Sequence, residues 1–232
     1  MHEVGDDAAD TDLDAECPVD RRSKCLLQDN DDCDGYPSGS EGWGHRVGER
    51  LRNFTLYDCN GVERELAELL REQDGPVCAC YDGAILIDFG AGYCESCMEE
   101  SVEIALVHHE WRKKGVRVLN VIVGDDVWGD ASEGLCAAWA NGEFGDEIDL
   151  EEEVPLPFPV WFGMETDVAD FKPLDVSWSE GDQVDPGLPL RVLLDANANI
   201  REIPQGDLPK GQLEERLMTI LDDPFWQDRE ME

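Results

Sequence analysis

Two cysteines, Cys94 and Cys97, stand two residues apart in the stretch IDFGAGYCESCMEES, residues 87–101. A pair at that spacing can open and close a disulfide, supply half of a metal site, or staple a fold. What decides between these is where the first sulfur sits. The preceding run, AILIDFG, is continuously apolar, as in a strand buried on both faces. After the short turn Gly90–Tyr93, Met98, Val102, Ala105 and Leu106 recur at helical spacing, and Gly115 marks a stop. Cys94 is therefore expected at a helix N-terminus, where unpaired N–H groups and the positive end of the dipole favour a thiolate. Cys97 falls one turn later, within reach and more shielded. One attacking and one resolving thiol are what thiol–disulfide exchange requires. A zinc site would need a second ligand pair, but Cys78 and Cys80 have one residue between them rather than two to four. No metal and no cofactor are expected.

The elements that must hold this pair are legible as an alternation. RNFTLYDCNG reads as a strand closed by an Asn-Gly turn. VERELAELLREQDG reads as a short helix with Leu66, Leu69 and Leu70 on one face, and PVCACYDG as a loop. VRVLNVIVG is a second buried strand, ASEGLCAAWANGEF a helix, and EIDLEEEVPLP an acidic connection. FPVWF is a strand, TDVADFKPL a turn of helix, LRVLLDANANIREIP a hairpin turning at DANAN, and KGQLEERLMTILDD a closing helix. Such alternation predicts an α/β fold, a central mixed sheet with helices on both faces. Residues 1–45 are expected to form an irregular acidic arm. They hold 13 acidic and 3 basic residues and too few large apolar groups to offset their ordering entropy. The folded domain is expected over 46–224, with a short tail at 225–232.

The net charge of −37 disfavours nucleic acid and bare anionic membranes as partners, because phosphate binding needs the opposite sign. No apolar run is long enough to span a membrane. Nine cysteines point to an oxidising compartment. An extracytoplasmic location, periplasm or cell envelope, is accordingly expected, although MHEVGDDAADTD has no apolar signal segment. The alternative is a cytoplasmic protein with reduced thiols.

At these residues the sequence resembles the thioredoxin superfamily, and within it the TlpA-like, redoxin-type thiol–disulfide oxidoreductases. The likeness covers residues 47–222. VGERLRNFTLYDCNGVERELAEL is similar to that family's opening, ILIDFGAGYCESC to its strand and active-site signature, KGVRVLNVIVGDD to its next strand, and GLPLRVLLDANANI to its proline loop and hairpin. The resemblance implies a thioredoxin-like fold. It makes Cys94 the nucleophile and Cys97 the resolving thiol. Asp88 becomes the buried acid that takes the proton from Cys97. Pro189 becomes a cis-proline, with Leu188 and Tyr93 beside the incoming peptide. Partners would be protein thiols or disulfides and an upstream electron donor; the oligomeric state is left open.

Three positions depart from the family pattern. Tyr93 stands where Trp is usual, Gly90 where an aromatic residue is common, and Glu95-Ser96 replace a dipeptide ending in Pro. An acidic group about 6 Å from Cys94, at an effective dielectric near 40, costs the thiolate about 1.4 kcal/mol. The helix end returns roughly 0.3–1 kcal/mol. Glu95, with Glu99 and Glu100 further off, thus predicts a reductant rather than a strong oxidant, whose potential would lie near about −120 mV.

Two other activities fit the pair less well. Thiol peroxidases usually carry a Thr three residues before the reactive cysteine, and here that residue is Ala91. A non-catalytic binding module with a structural CxxC is the remaining alternative.

His108 and His109 are read as helix-face residues rather than metal ligands. Residues 30–41 place Asn30, Asp32, Asp34, Gly35 and Glu41 at calcium-loop positions, but Pro37 and the lack of flanking helices favour a solvated linker. A disulfide from Cys59 to Cys78 or Cys80 fits the element order, although connectivity is not fixed by sequence. Cys136 is read as a free core thiol.

Overall fold

The computed structural model describes residues 43–44, 46–70, 83–125, 127, 129–144, 154–163, 188–209 and 211–223. The calcium-like stretch, Cys17, Cys25, Cys33, Cys78 and Cys80, the TDVADFKPL segment and the 225–232 tail lie outside the described residues.

In chain order the elements are β1 (Trp43–Gly44), β2 (Arg50–Leu51), β3 (Thr55–Asp58), β4 (Glu63–Glu65), α1 (Ala67–Leu70) and β5 (Ala84–Gly90), followed by α2 (Glu95–Lys113) and β6 (Val116–Ile122). Then come α3 (Glu133–Asn141), β7 (Val160–Phe162), β8 (Leu190–Leu194), β9 (Ile200–Glu202) and α4 (Gln212–Asp222). β1 and β2 form a small parallel pair, and the other seven strands form one mixed sheet in the order β4-β3-β7-β6-β5-β8-β9. β5, β6 and β7 run parallel, and β8, β9, β3 and β4 are added antiparallel.

β5 shows why these residues make a central strand. All seven are buried, and they alternate between two cores. Ala84 and Leu86 pack with Met98, Val102 and Trp111 of α2, Trp139 of α3, and Leu217 and Ile220 of α4. Ile85, Ile87 and Phe89 pack with Leu56, Leu66, Leu69, Leu119, Val192 and Ile200 on the other side. α2 and α3 both pack on the Ala84 and Leu86 side of the parallel strands β5, β6 and β7. Helices cover both faces, as expected, but unequally: the second face receives only the one-turn α1 among the described residues.

Three expectations are corrected. The helix read over 62–75 begins as a strand, because Glu63–Glu65 pairs antiparallel with Thr55–Tyr57. Gly61, at φ +72°, closes the hairpin, and Asp58 Oδ1 accepts from the N–H groups of Asn60 and Val62. Leu106 does not join the core face of α2 and is 72% exposed. The inward face carries Cys97, Ser101, Ile104, His108 and Trp111 instead. His108 is a helix-face residue turned inward, edge-on to Phe158. Finally, Cys59 pairs with Cys136 rather than with Cys78 or Cys80. β3 and α3 both flank β7, which brings the two Cα atoms to 5.1 Å, and both sulfurs lie beside the Val160 carbonyl. The Cys136 sulfur is thus not free.

Candidate active site

The turn after β5 is held from below. Val123 N–H donates to Gly90 C=O, Gly92 N–H to Gly124 C=O, and Cys94 N–H to Ala91 C=O. Cys94 then becomes the N-cap of the 19-residue α2, with extended backbone, and its sulfur accepts from Cys97 N–H at 3.2 Å. The Ser96 hydroxyl lies 3.7 Å from the same sulfur. Cys94 and Cys97 form a disulfide with Cα atoms 5.2 Å apart. Their exposure is unequal, at 8% for Cys94 and 1% for Cys97. Only the first sulfur borders the open depression of about 500 Å³ lined by Tyr93, Cys94, Glu95, Ser96, Glu99 and Leu188. A sulfur so placed can be attacked from solvent while its partner is shielded.

The wall opposite α2 is the start of β8. The Leu188–Pro189 peptide is cis, and Pro189 C=O accepts from Gly206 N–H. Among the described residues no hydrogen bond reaches the Leu188 backbone. Leu188 therefore presents main-chain groups that no described residue engages beside the sulfur-bearing depression.

Below the pair lies a buried polar network that the sequence reading met only in part. Asp88 on β5 is fully buried, and its Oδ2 accepts from Asn120 Nδ2 at 2.9 Å. Asn120 Nδ2 also reaches Ser101 Oγ at 3.3 Å, and Trp139 Nε1 donates to the same hydroxyl at 3.3 Å. Ser101 sits one turn beyond Cys97 on the buried face of α2, which joins the network to the helix that carries the shielded sulfur. Across the β5–β8 ladder, Asp88 stands opposite Arg191, itself 2% exposed. Arg191 makes a two-pronged ion pair with Glu100 of α2, its Nε lying 2.5 Å from Oε1 and its Nη2 engaging Oε2. Burial pushes the Asp88 carboxyl well above the usual range; the nearby Glu100 charge pushes the same way, while Arg191 and Asn120 oppose it. Glu100 is also raised, chiefly by burial and against the pull of Arg191.

The site residues expected from sequence thus fall in one region: Tyr93, Cys94 and Leu188 around the depression, Cys97 behind it, Asp88 below, Pro189 next to Leu188. Asn120, Ser101, Glu100, Arg191 and Trp139 went unnoticed. A polar Asn in the apolar run VRVLNVIVG was the one local signal available. The Gly90 departure also has an answer: a Cβ there would lie 3.1 Å from Cys97 Cβ and 3.3 Å from Trp139 Cζ2. The position is internal, and the aromatic surface comes from α3. Among the described residues no group of three or more His, Cys, Asp or Glu side chains could hold a metal ion.

A seven-stranded mixed sheet, a helix launched by a CxxC pair and a cis-proline facing it define a thioredoxin-like fold. No family model and no curated protein matches the sequence. Solved structures do match in fold. A Chlorobium tepidum protein assigned as the thiol:disulfide interchange protein DsbE superposes with a TM-score of 0.52 at 19% identity, over 76% of this chain and 98% of its own. The thioredoxin domain of a Bacteroides vulgatus thiol-disulfide oxidoreductase gives 0.50 at 17%, over 74% and 98%. The peroxidoxin BcpB of Mycobacterium tuberculosis gives 0.53 at 13%, over 76% and 96%. The shared property is the fold, in proteins of thiol redox chemistry; it does not choose between disulfide exchange and peroxide reduction.

Proposed function

We propose that the protein is a thiol–disulfide oxidoreductase of the TlpA-like kind that exchanges its Cys94–Cys97 dithiol with protein disulfides and works as a reductant. The observation that carries this is the asymmetry of the pair: Cys94 caps α2 at an open depression while Cys97 is sealed one turn behind it. In the reducing direction the Cys94 thiolate attacks one sulfur of a substrate disulfide, and the other substrate sulfur leaves with the electron pair. Cys97 then gives its proton to Asp88 and attacks Cys94. The mixed disulfide breaks, the second substrate thiolate departs, and Cys94–Cys97 is left oxidised. A dithiol donor upstream restores the pair. Leu188 N–H and C=O would hold the substrate backbone alongside, as an added strand. Glu95 and Glu99 at the mouth disfavour the Cys94 thiolate, which supports the reducing direction.

Residues 46–224 would form the catalytic domain, with 1–45 an acidic arm. The nine cysteines and the Cys59–Cys136 disulfide support an extracytoplasmic location, in periplasm or cell envelope. No described helix is long and apolar enough to cross a membrane. A peroxidase role is disfavoured by Ala91, buried and without a hydroxyl to hold peroxide.

The test is Cys97→Ser in the full chain. It should accumulate mixed disulfides through Cys94 that dithiothreitol releases, while the unaltered protein reduces insulin disulfides in the presence of a dithiol donor. An unaltered protein that leaves insulin intact and a variant that captures nothing would overturn the proposal. Peroxide consumption with a thiol donor would instead establish the peroxidase.

A further inference from the structure

Asp88, Glu100 and Arg191 place two carboxyl groups and one guanidinium in or at the edge of one buried region, contributed by β5, α2 and β8. Each guanidinium nitrogen is already engaged: Nε and Nη2 with Glu100, and Nη1 with the Gly206 carbonyl at 2.7 Å. Asp88 faces Arg191 across the ladder yet receives a hydrogen bond only from the neutral Asn120 among the described residues, and Oδ1 receives none. If both carboxyls were ionised, one negative charge would be left uncompensated inside the fold, a costly state. The cost is least when Glu100, held by two prongs, keeps its charge and Asp88 holds a proton.

We propose that Glu100, by engaging Arg191, keeps the proton on Asp88 while the Cys94–Cys97 disulfide is closed, so that Glu100 and Arg191 act as positioning residues for the proton that Cys97 exchanges. This rests on the role given to Asp88 above. When the disulfide opens, Cys97 leaves as a thiolate and takes the proton, and Asp88 becomes the carboxylate. When Cys97 attacks again, the proton returns. No further acid or base is needed: the negative charge that arrives with the electron pair passes to Asp88 as the proton moves, and it is removed when the disulfide closes again. Arg191 adds a mechanical link. Nη1 holds Gly206, whose N–H holds Pro189 C=O, so the same side chain ties α2 to the cis-proline segment.

Among the described residues, the charged groups facing this cluster are Arg191 from β8, Glu100 and the more exposed Glu103 from α2, and Asp207 from the segment before α4. Arg191 is the one cation among them. Neutralising Glu100 therefore frees Arg191 to favour ionised Asp88. Neutralising Arg191 removes the opposing cation.

The test is a carboxyl carbon NMR titration of Asp88 in the oxidised full chain, comparing the unaltered protein with Glu100→Gln and Arg191→Gln. Glu100→Gln should move the Asp88 midpoint down by about one pH unit or more. The rising limb of mixed-disulfide resolution should move down with it. Arg191→Gln, if it folds, should move the midpoint up. An Asp88 midpoint unchanged or raised in Glu100→Gln overturns the proposal, as does an Asp88 already ionised at neutral pH in the unaltered oxidised protein. The readout needs no turnover, so loss of disulfide exchange would count against the proposed function and leave this result standing. Resolution that keeps its pH limb in Asp88→Asn would remove Asp88 from the mechanism and this proposal with it.

Discussion

Trp139 and Gly90 share a single volume: a Cβ on Gly90 would come within 3.3 Å of the Trp139 ring and 3.1 Å of Cys97 Cβ. The indole is held by its N–H bond to Ser101 and edge-on against Phe144, and Cys97 by its disulfide, so neither gives way freely. Gly90→Phe should overpack the site and destabilise by about 1–3 kcal/mol or more. Trp139→Ala should open a cavity and cost about 3–5 kcal/mol. The double variant Gly90→Phe/Trp139→Ala should cost less than the sum of the singles, because the new ring occupies the vacated space. Denaturant midpoints of the four proteins check this, and strict additivity would refute the shared volume.

The Cys59–Cys136 bridge links positions 77 residues apart and anchors the helix that carries Trp139. Replacing both cysteines by serine should destabilise by about 2–5 kcal/mol, through a less constrained unfolded chain. In a Cys94→Ser/Cys97→Ser background, the unfolding midpoint should become insensitive to dithiothreitol once Cys59 and Cys136 are also replaced. A midpoint that still responds would show that another disulfide carries the effect.

Charge at the mouth should set the redox poise. Glu95→Gln should raise the midpoint potential by about 30 mV, the equivalent of about 1.4 kcal/mol for a two-electron couple. Because Glu95 is exposed, the gap between variant and unaltered protein should narrow in about 1 M salt. Equilibration with a glutathione or dithiothreitol redox buffer measures both, and a potential that does not move removes the electrostatic argument for a reductant.

Stability should carry a signature of Asp195, which turns the β8–β9 hairpin. Its carboxylate accepts from the N–H groups of Asn197 and Asn199 and from Asn199 Nδ2, yet burial pushes it up to about 6. A carboxyl raised on folding contributes stability that is complete below its unfolded value of 3.8 and lost as pH rises through about 6. The loss is on the order of 2–3 kcal/mol. Asp195→Asn should flatten this fall. His108, lowered mainly by burial, works in the opposite sense, its contribution present above its unfolded value of 6.5 and lost as pH falls. Asp88 and Glu100, raised as well, also lose stability as pH rises, so the variant should show a shallower fall between pH 4 and 7 than the unaltered protein. Unfolding free energies across that range test it, and an unaltered slope would exclude Asp195 as its source.

The parts of this molecule that sequence exposes are those written locally. The apolar run of β5, the CxxC spacing and the Gly115 stop specify strand, turn and helix within 32 residues, and there the elements read from sequence and those of the structure agree. Resemblance carried Pro189 onto a peptide bond that is cis, next to the Leu188 that lines the depression beside Cys94, and Asp88 onto a fully buried position of β5. What sequence hid was written across distance. The ring that fills the Gly90 position comes from α3, and Arg191 reaches Glu100 across 91 residues. The partner of Cys59 depends on which strand lies next to β3. Glu63–Glu65 misled for a different reason: its residues favour helix, and the tight hairpin at Gly61 overrides that preference by supplying a strand to pair with.

The outermost strands, β4 and β9, are three residues each; β4 reads Glu-Arg-Glu, and β9 ends in Arg201 and Glu202. Short rims studded with charge are poor templates for further strands. If the proposed exchange with protein disulfides holds, the protein would approach polypeptides whose own cores are not yet closed, the very material that zips onto an open sheet. Such a boundary would let it take hold of a client through one sulfur and then let it go, without being drawn into the client's aggregates.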